Sequence, residues 1–428
     1  MKKRWIIVVM ALILAAGTSF AGGQADTDAA AEEKPVTIVM RTQEHGQAAT
    51  TEQEIVQMFM EKNPNIKVDL IQGQWTDHYT QLRLASMAGE SPAVASTLLR
   101  KIVEMDQYYT PLDDSPVGNL LEMTGVEPDK FDESGWTSSQ HKGHQFAVPN
   151  VYPAKLMWYN RDIFREVGLD PDRFPDNRAE FENAADKIKD AGYYAFHPAA
   201  NGPPRFWRRA WYILFWSKGG ELFDSDYTKP TFNNADGVST LQYLVDMIHE
   251  KEWNVVGADG YKQFGARELG MIYAGNWFYP NAVSSGADYR GAQVPVFFEK
   301  RVTWINGNGF VIPKQASGTP KELYLAAMKM INFYAENSHL STIGAGHVCA
   351  YKPAQTNPEL LASDYWIKAG TYMAQMIADG AVHYPIRHPR GAELESAIET
   401  KVELAVNGQM SPEEALRLAE EECMEILK

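Results

Sequence analysis

The sequence predicts an α/β chain of two domains behind an export leader. Three observations carry this: a short apolar N-terminal run, about 400 residues beyond it, and strand-like and helix-like patterns that alternate downstream of it. The leader reads MKKRWIIVVMALILAAGTSFA. Lys2, Lys3 and Arg4 precede an apolar stretch from Ile6 to Ala16, and Ser19-Phe20-Ala21 supplies the small residues that a signal peptidase needs. Cleavage is expected after Ala21, so 1–21 is a signal peptide. The apolar run is too short, and its downstream flank too polar, for a membrane span. Residues 22–34 are small, polar and acidic, and read as a disordered leader. The cysteines of the chain, Cys349 and Cys423, lie far from that cleavage point. Lipid attachment is therefore not expected, and a soluble exported protein held in a periplasm is.

The elements follow in order. Val36–Met40 (VTIVM) is a continuous apolar run, as in a strand buried on both faces. Thr51–Lys62 places Ile55, Met58 and Phe59 on one helical face, and Asn63-Pro64 stops it. Ile66, Val68 and Leu70 alternate as in a strand. Thr76 is the expected cap of a next helix carrying Tyr79, Leu82 and Met87, with Gly89 near its end. Pro92–Ser96 reads as a third strand. This alternation implies a parallel sheet with right-handed crossovers, its strand ends gathered on one edge. Ligands bind such sheets at the carboxyl ends of strands, here Arg41–Gly46, Gln72–Trp75 and Ser96–Lys101. Later helix starts are marked by Asn177 with Glu180, Thr319 with Pro320 and Glu322, and Ser411 with Pro412 and Glu414.

The formal charge is −15, and loss of the leader makes it three units more negative. Nucleic acid and anionic membrane surfaces are thereby disfavoured as partners. The two cysteines are compatible with one disulfide in an oxidising compartment but make no framework and no zinc set. Burial of Cys423 on the apolar face of the last helix is the plainer reading. His141 and His144 are three apart in a Gly-containing loop with no third ligand nearby, so no metal and no cofactor is expected. No nucleophile elbow, phosphate loop or HExxH helix occurs. Carboxylates are abundant, so a glycosidase pair is not excluded by residue count, yet nothing marks one pair.

The stretch FWRRAWYILFW, Phe206 to Trp216, holds three tryptophans beside Arg208 and Arg209. Trp207 and Trp211 are four apart and share a helical face, and Arg208 and Tyr212 share the next. Two readings compete: a buried helix whose arginines extend to water, or a wall that stacks flat rings.

Several motifs resemble one family. HKGHQFAVPNVYPAKLMWYNRDIFREVGLDPDRFP (141–175) carries Tyr159-Asn160-Arg161-Asp162 and Gly168-Leu169-Asp170-Pro171. MAGESPAV (87–94) with TPLDD (110–114), ELGMIYAGNW (268–277), NGNGFVIPKQASGTPKELYLAAMKMINFYAE (306–336) and the C-terminal NGQMSPEEALRLAEEECMEIL follow in order. Together they resemble the maltose-binding-like extracellular solute-binding proteins of bacterial ATP-driven importers. The resemblance covers nearly all of the chain beyond the leader. Two departures stand out. Pro92-Ala93-Val94 replaces Pro-Asp-Val, and Arg41-Thr42-Gln43-Glu44-His45 replaces a Trp-rich stretch after the first strand, which puts a plain neutral sugar in doubt.

The resemblance implies a two-lobed periplasmic-binding-protein fold with a hinge and an inter-lobe ligand cleft. By analogy lobe one is 35–148 plus 290–337, and lobe two is 149–289 plus 338–428. It implies a non-catalytic, monomeric receptor that carries a carbohydrate, acidic or oligomeric, to an importer's membrane permease. A glycerophosphodiester, a chemosensor role or a secreted glycoside-active enzyme are the alternatives. Aromatic rings cover the C–H faces of a sugar, and charged groups satisfy its hydroxyls. Trp277, after Gly275-Asn276, is the first expected ligand contact. Trp75, Trp304, Asn306, Trp207, Arg208 and Trp211 follow, with Arg41 and Glu44 in the loop that departs from the family. Arg100, Arg205 and Arg387 also fall in segments that border the implied cleft. Arginine grips a carboxylate with two parallel bonds, which raises a uronide as a ligand.

Overall fold

A computed structural model describes residues 35–43, 47–198 and 207–428. The expected signal peptide and leader, and Glu44, Arg205 and Phe206, lie outside the described residues.

β1 (Val36–Thr42), β2 (Ile66–Gln72) and β3 (Val94–Leu98) are parallel neighbours, with β1 in the middle. Ile38 and Met40 of β1 are wholly buried, as their continuous apolar run requires. The connecting helices are Gln47–Lys62, which buries Ile55, Val56 and Phe59, and Trp75–Ala88. The second begins one residue before the expected cap. Gln74 makes no capping bond there, and Met87 is exposed while Leu82 is buried.

A short hairpin, β4 (Gln140–His141) and β5 (His144–Gln145), precedes β6 (Ala147–Tyr152). The chain then crosses to a second sheet. β7 (Lys155–Asn160), β8 (Tyr194–His197), β9 (Leu269–Gly275) and β10 (Tyr289–Ala292) form it in the order β10-β7-β9-β8. β11 (Thr303–Trp304) pairs in parallel with β14 (Val382–His383). Between them in sequence, β12 (Asn308–Val311) and β13 (Val348–Cys349) return to the first sheet, whose order is β13-β6-β12-β3-β1-β2. Each sheet and its helices make one lobe with its own apolar core.

Sheet membership moves three expected lobe edges. β6 stays in the first sheet to Tyr152, although 149 onward was assigned to lobe two. β10 lies in the second sheet, although 290–337 was assigned to lobe one. β13 and the Ser338–Ala345 helix pack on the first lobe, although 338–428 was assigned to lobe two. The chain passes between sheets more often than the motif order revealed.

The crossings are tied together. Ala154 and Ile305 bridge the two crossing segments, and the Asn306 amide donates to Pro153 O at 2.9 Å. Asn276 is the clamp. Its Nδ2 donates to Tyr152 O at 2.9 Å, and its amide donates to Ala154 O at 2.8 Å. Gly307 and Gly309 are required by close approach, because a Cβ on either would lie 2.4 Å from Leu99 and 2.7 Å from Val148 O.

Cys349 and Cys423 are free thiols, so the possible disulfide does not form. Cys349 lies beside Thr342 Oγ1 at 2.9 Å in lobe one, and Cys423 is buried in the core of lobe two. Asn177 and Ser411 cap their helices as expected, while the helix after Thr319 has Pro320 at its N-cap and no side-chain cap. No helix among the described residues is long and apolar enough to cross a membrane.

Candidate ligand-binding site

The seam between the lobes starts from β3. Its carboxyl end runs directly into the Leu99–Lys101 turn, which carries Arg100 and Lys101. Across the seam the Gly391–Val406 helix offers Glu395 and Glu399, one turn apart on one face. Arg100 Nη2 lies 3.2 Å from Glu395 Oε2, so one ion pair joins lobe one to lobe two. Arg387 makes a second link, donating to the Gln140 carbonyl of the β4–β5 hairpin. Burial holds the Arg387 guanidinium below its ordinary pKa.

The Trp207–Ser217 helix supplies the next layer. Every residue of it except Arg209 is buried, as an all-round apolar helix demands. Arg208 does not extend to water. It donates to Glu399 and, at 3.0 Å, to Glu395, and the Trp207 amide donates to Glu399 Oε1 at 2.8 Å. Burial alone would raise the Glu395 carboxyl, but Arg100, Arg208 and Arg209 outweigh it and hold the pKa at about 2. On the lobe-one side, Lys101 pairs with Glu104 at 2.5 Å, and burial raises the Glu104 carboxyl.

Arg209 points elsewhere than Arg208, because consecutive helical residues diverge by about 100°. Its guanidinium lies 4.1 Å over the Trp304 ring. Burial and the neighbouring Arg208 bring it down to about 9, which leaves it charged at neutral pH. Trp277 meets Trp304 edge-on at 6.3 Å and is only partly buried. Gly275 permits this, since a Cβ there would sit 2.3 Å from the Trp277 ring. Tyr273 hydroxyl faces Thr303 Oγ1 at 3.1 Å, and Lys155 Nζ lies 4.5 Å over the Tyr273 ring.

The expected contacts divide accordingly. Trp277, Trp304, Arg100 and Arg208 are brought to one place, and Asn306 is buried in the adjoining crossing. Arg387 bridges the lobes nearby. Trp207 is buried against His197. Trp211 corrects the expectation of a ligand contact. It is fully buried, stacks on Phe215 at 5.6 Å, and donates to Thr240 Oγ1 at 3.1 Å, inside the core of lobe two. Trp75 packs on His78 and Tyr79, and Arg41 bonds Gln81, all within lobe one. A contact chain nevertheless links Trp75 to the seam, because Lys101 Nζ lies 5.6 Å over the Tyr79 ring. Sequence reading missed Lys155, Glu395 and Glu399, and named Arg209 only as part of the Phe206–Trp216 stretch. Only the Glu395–Glu399 spacing was visible, and nothing local showed what it would face. His141 and His144 lie 3.6 Å from Asp106 and 3.4 Å from Asp113 respectively.

A cavity of about 490 Å³ opens elsewhere, on lobe two, lined by Tyr159, Phe174, Asp176, Arg301 and Tyr372 among others. Its charged lining residues are Asp172, Arg173, Asp176 and Arg301, and each is paired: Arg301 with Asp176 at 2.5 Å, Arg173 with Glu180 at 2.7 Å and Asp172 with Arg290 at 3.4 Å.

Comparison with known proteins places this arrangement in a family. Residues 43–339 match the family described as bacterial extracellular solute-binding protein. The arabinooligosaccharide-binding protein of Bacillus subtilis is 23% identical over 281 residues, 61% of this chain and 62% of that protein. The sn-glycerol-3-phosphate-binding periplasmic protein of Escherichia coli is 23% identical over 227 residues, 47% of each chain. The matched stretches thus span between about half and three fifths of these relatives. The maltose-bound MalE3 of T. maritima superposes with a TM-score of 0.79 at 21% identity, over 91% of this chain and 100% of that one, which shows the shared two-lobed fold. The chain therefore belongs to the bacterial extracellular solute-binding protein family.

Proposed function

We propose that this protein is the ligand-capturing receptor of an ATP-driven importer, and that it binds a carbohydrate at the seam between its lobes. The observation that carries the reading is the Trp277–Trp304–Arg209 group beside the interlobe crossings. Indole faces suit the C–H faces of a sugar ring, and fixed charges suit its hydroxyls. Stacking and charged hydrogen bonds of about 0.5–1.5 and 1.5–3 kcal/mol each reach micromolar affinity with a few contacts. The arabinooligosaccharide-binding relative supports a saccharide. The glycerol-phosphate-binding relative keeps an organophosphate as second reading, favoured by the cations at the seam.

Ligand touching both lobes stabilises their closed arrangement, and hinge motion at 153–154 and 305–307 opens it. The closed form then presents both lobe surfaces to a membrane permease. Binding without catalysis, export to the periplasm and a monomeric state belong to the same reading.

The test is titration of tryptophan fluorescence with neutral and acidic oligosaccharides and with sn-glycerol-3-phosphate. We expect a saturable change with a saccharide, shifted to about ten-fold or more higher concentration in Trp304→Ala, and no new reducing ends after long incubation. A response to the phosphate alone, or release of reducing ends, would overturn the reading.

A further inference from the structure

The seam holds more basic than acidic side chains among the described residues. Its cations are Arg100, Lys101, Lys155, Arg208 and Arg209, and its carboxylates are Glu104, Glu395 and Glu399. The carboxylates are already engaged. Glu104 takes Lys101, Glu395 takes Arg100 and Arg208, and Glu399 takes Arg208 and the Trp207 amide.

Lys155 is the telling residue. It opens β7 directly after the crossing, and its side chain is wholly buried. Its Nζ has no hydrogen-bond acceptor among the described residues and meets only the ring face of Tyr273. Buried, Arg209 and Arg208 nearby, it is held well below the ordinary lysine pKa, with Glu399 opposing. Nε and Nη1 of Arg100 are likewise buried without an acceptor. Such donors are costly to leave unmet. A neutral hydroxyl can accept from them but brings no charge to offset theirs, and the local carboxylates are already engaged with other cations of the seam. A group that only accepts and carries negative charge satisfies both conditions.

We propose that the ligand is an acidic saccharide, a uronate-containing sugar whose carboxylate is received by Lys155 with the guanidinium groups of the seam, while its ring lies against Trp304 and Trp277. This rests on the saccharide-receptor reading and narrows it to one substrate class.

The test is calorimetric titration of the mature protein against oligomers of galacturonate, glucuronate, mannuronate and guluronate, their carboxyl-reduced neutral counterparts, and sn-glycerol-3-phosphate. At least one uronate oligomer is expected to bind ten-fold or more tightly than its reduced counterpart. Lys155→Met is expected to remove most of that preference. Removal of an unmet buried amine leaves this variant folded, and its melting temperature in the absence of sugar is expected to equal or exceed that of the wild type. Neutral sugars binding as well as uronates would overturn the inference and leave the receptor reading standing. Unchanged preference in Lys155→Met would also overturn it. Binding of the phosphate alone, or of no sugar in the panel, would overturn both.

Discussion

Glu395 accepts from guanidinium groups that come from opposite sides of the seam, and its worth is pH-dependent. Its folded pKa of about 2 lies below the ordinary 4.5. A depressed carboxyl pKa contributes stability above about pH 4.5 that is lost as pH falls toward 2, amounting to about 3 kcal/mol in full. Glu395→Gln leaves Arg100 and Arg208 without that charge. We predict a loss of about 3–5 kcal/mol at neutral pH, read as a lower melting temperature, and a gap from the wild type that shrinks below pH 4. A gap that stays constant to pH 3 would refute the assignment. The thiols make a second residue-scale prediction. Burial pushes Cys423 up to about 12 and raises Cys349 as well. Neither is expected to react with a thiol reagent until the protein unfolds, when two equivalents should be consumed.

At the scale of elements, the Trp207–Ser217 helix shows what sequence can and cannot convey. Its all-round apolar character and the Trp207–Trp211 spacing were legible. Which flanks would be covered was not, because the Ala235–His249 and Gly391–Val406 helices that pack on it come later in the chain. Trp211 is therefore core, and Arg209, for which extension to water and a place in a ring-stacking wall both stood open, lies over Trp304. Both tryptophans are buried, so they should separate by ligand affinity rather than by stability. Trp211→Ala is predicted to cost about 3–5 kcal/mol of stability, seen as a fall in denaturant midpoint, with the affinity of the folded fraction unchanged. Trp304→Ala should weaken ligand binding by about ten-fold or more. The presence of β1, β2 and β3 along the chain was legible too, since each alternates or runs apolar over a few residues. β11, β13 and β14 were not: each is two residues long and carries no period.

For the whole molecule, the two-lobe plan followed from motifs that keep their order over nearly the whole chain, but the lobe edges did not. Strands that leave one sheet and join the other, as β10 and β13 do, leave no local mark on composition. The joint between lobes depends on Asn276, which was read only as the residue before Trp277. Asn276→Ala removes bonds to Tyr152 and Ala154. It should cost about 1–3 kcal/mol and speed amide exchange in the crossing at 152–156. Hydrogen exchange with and without a saturating oligosaccharide tests the central claim most directly. Protection should appear in 99–104, 272–279, 303–309 and 391–399, on both sides of the seam. Protection confined to 172–176, 290–293 and 371–375, around the cavity on lobe two, would contradict it.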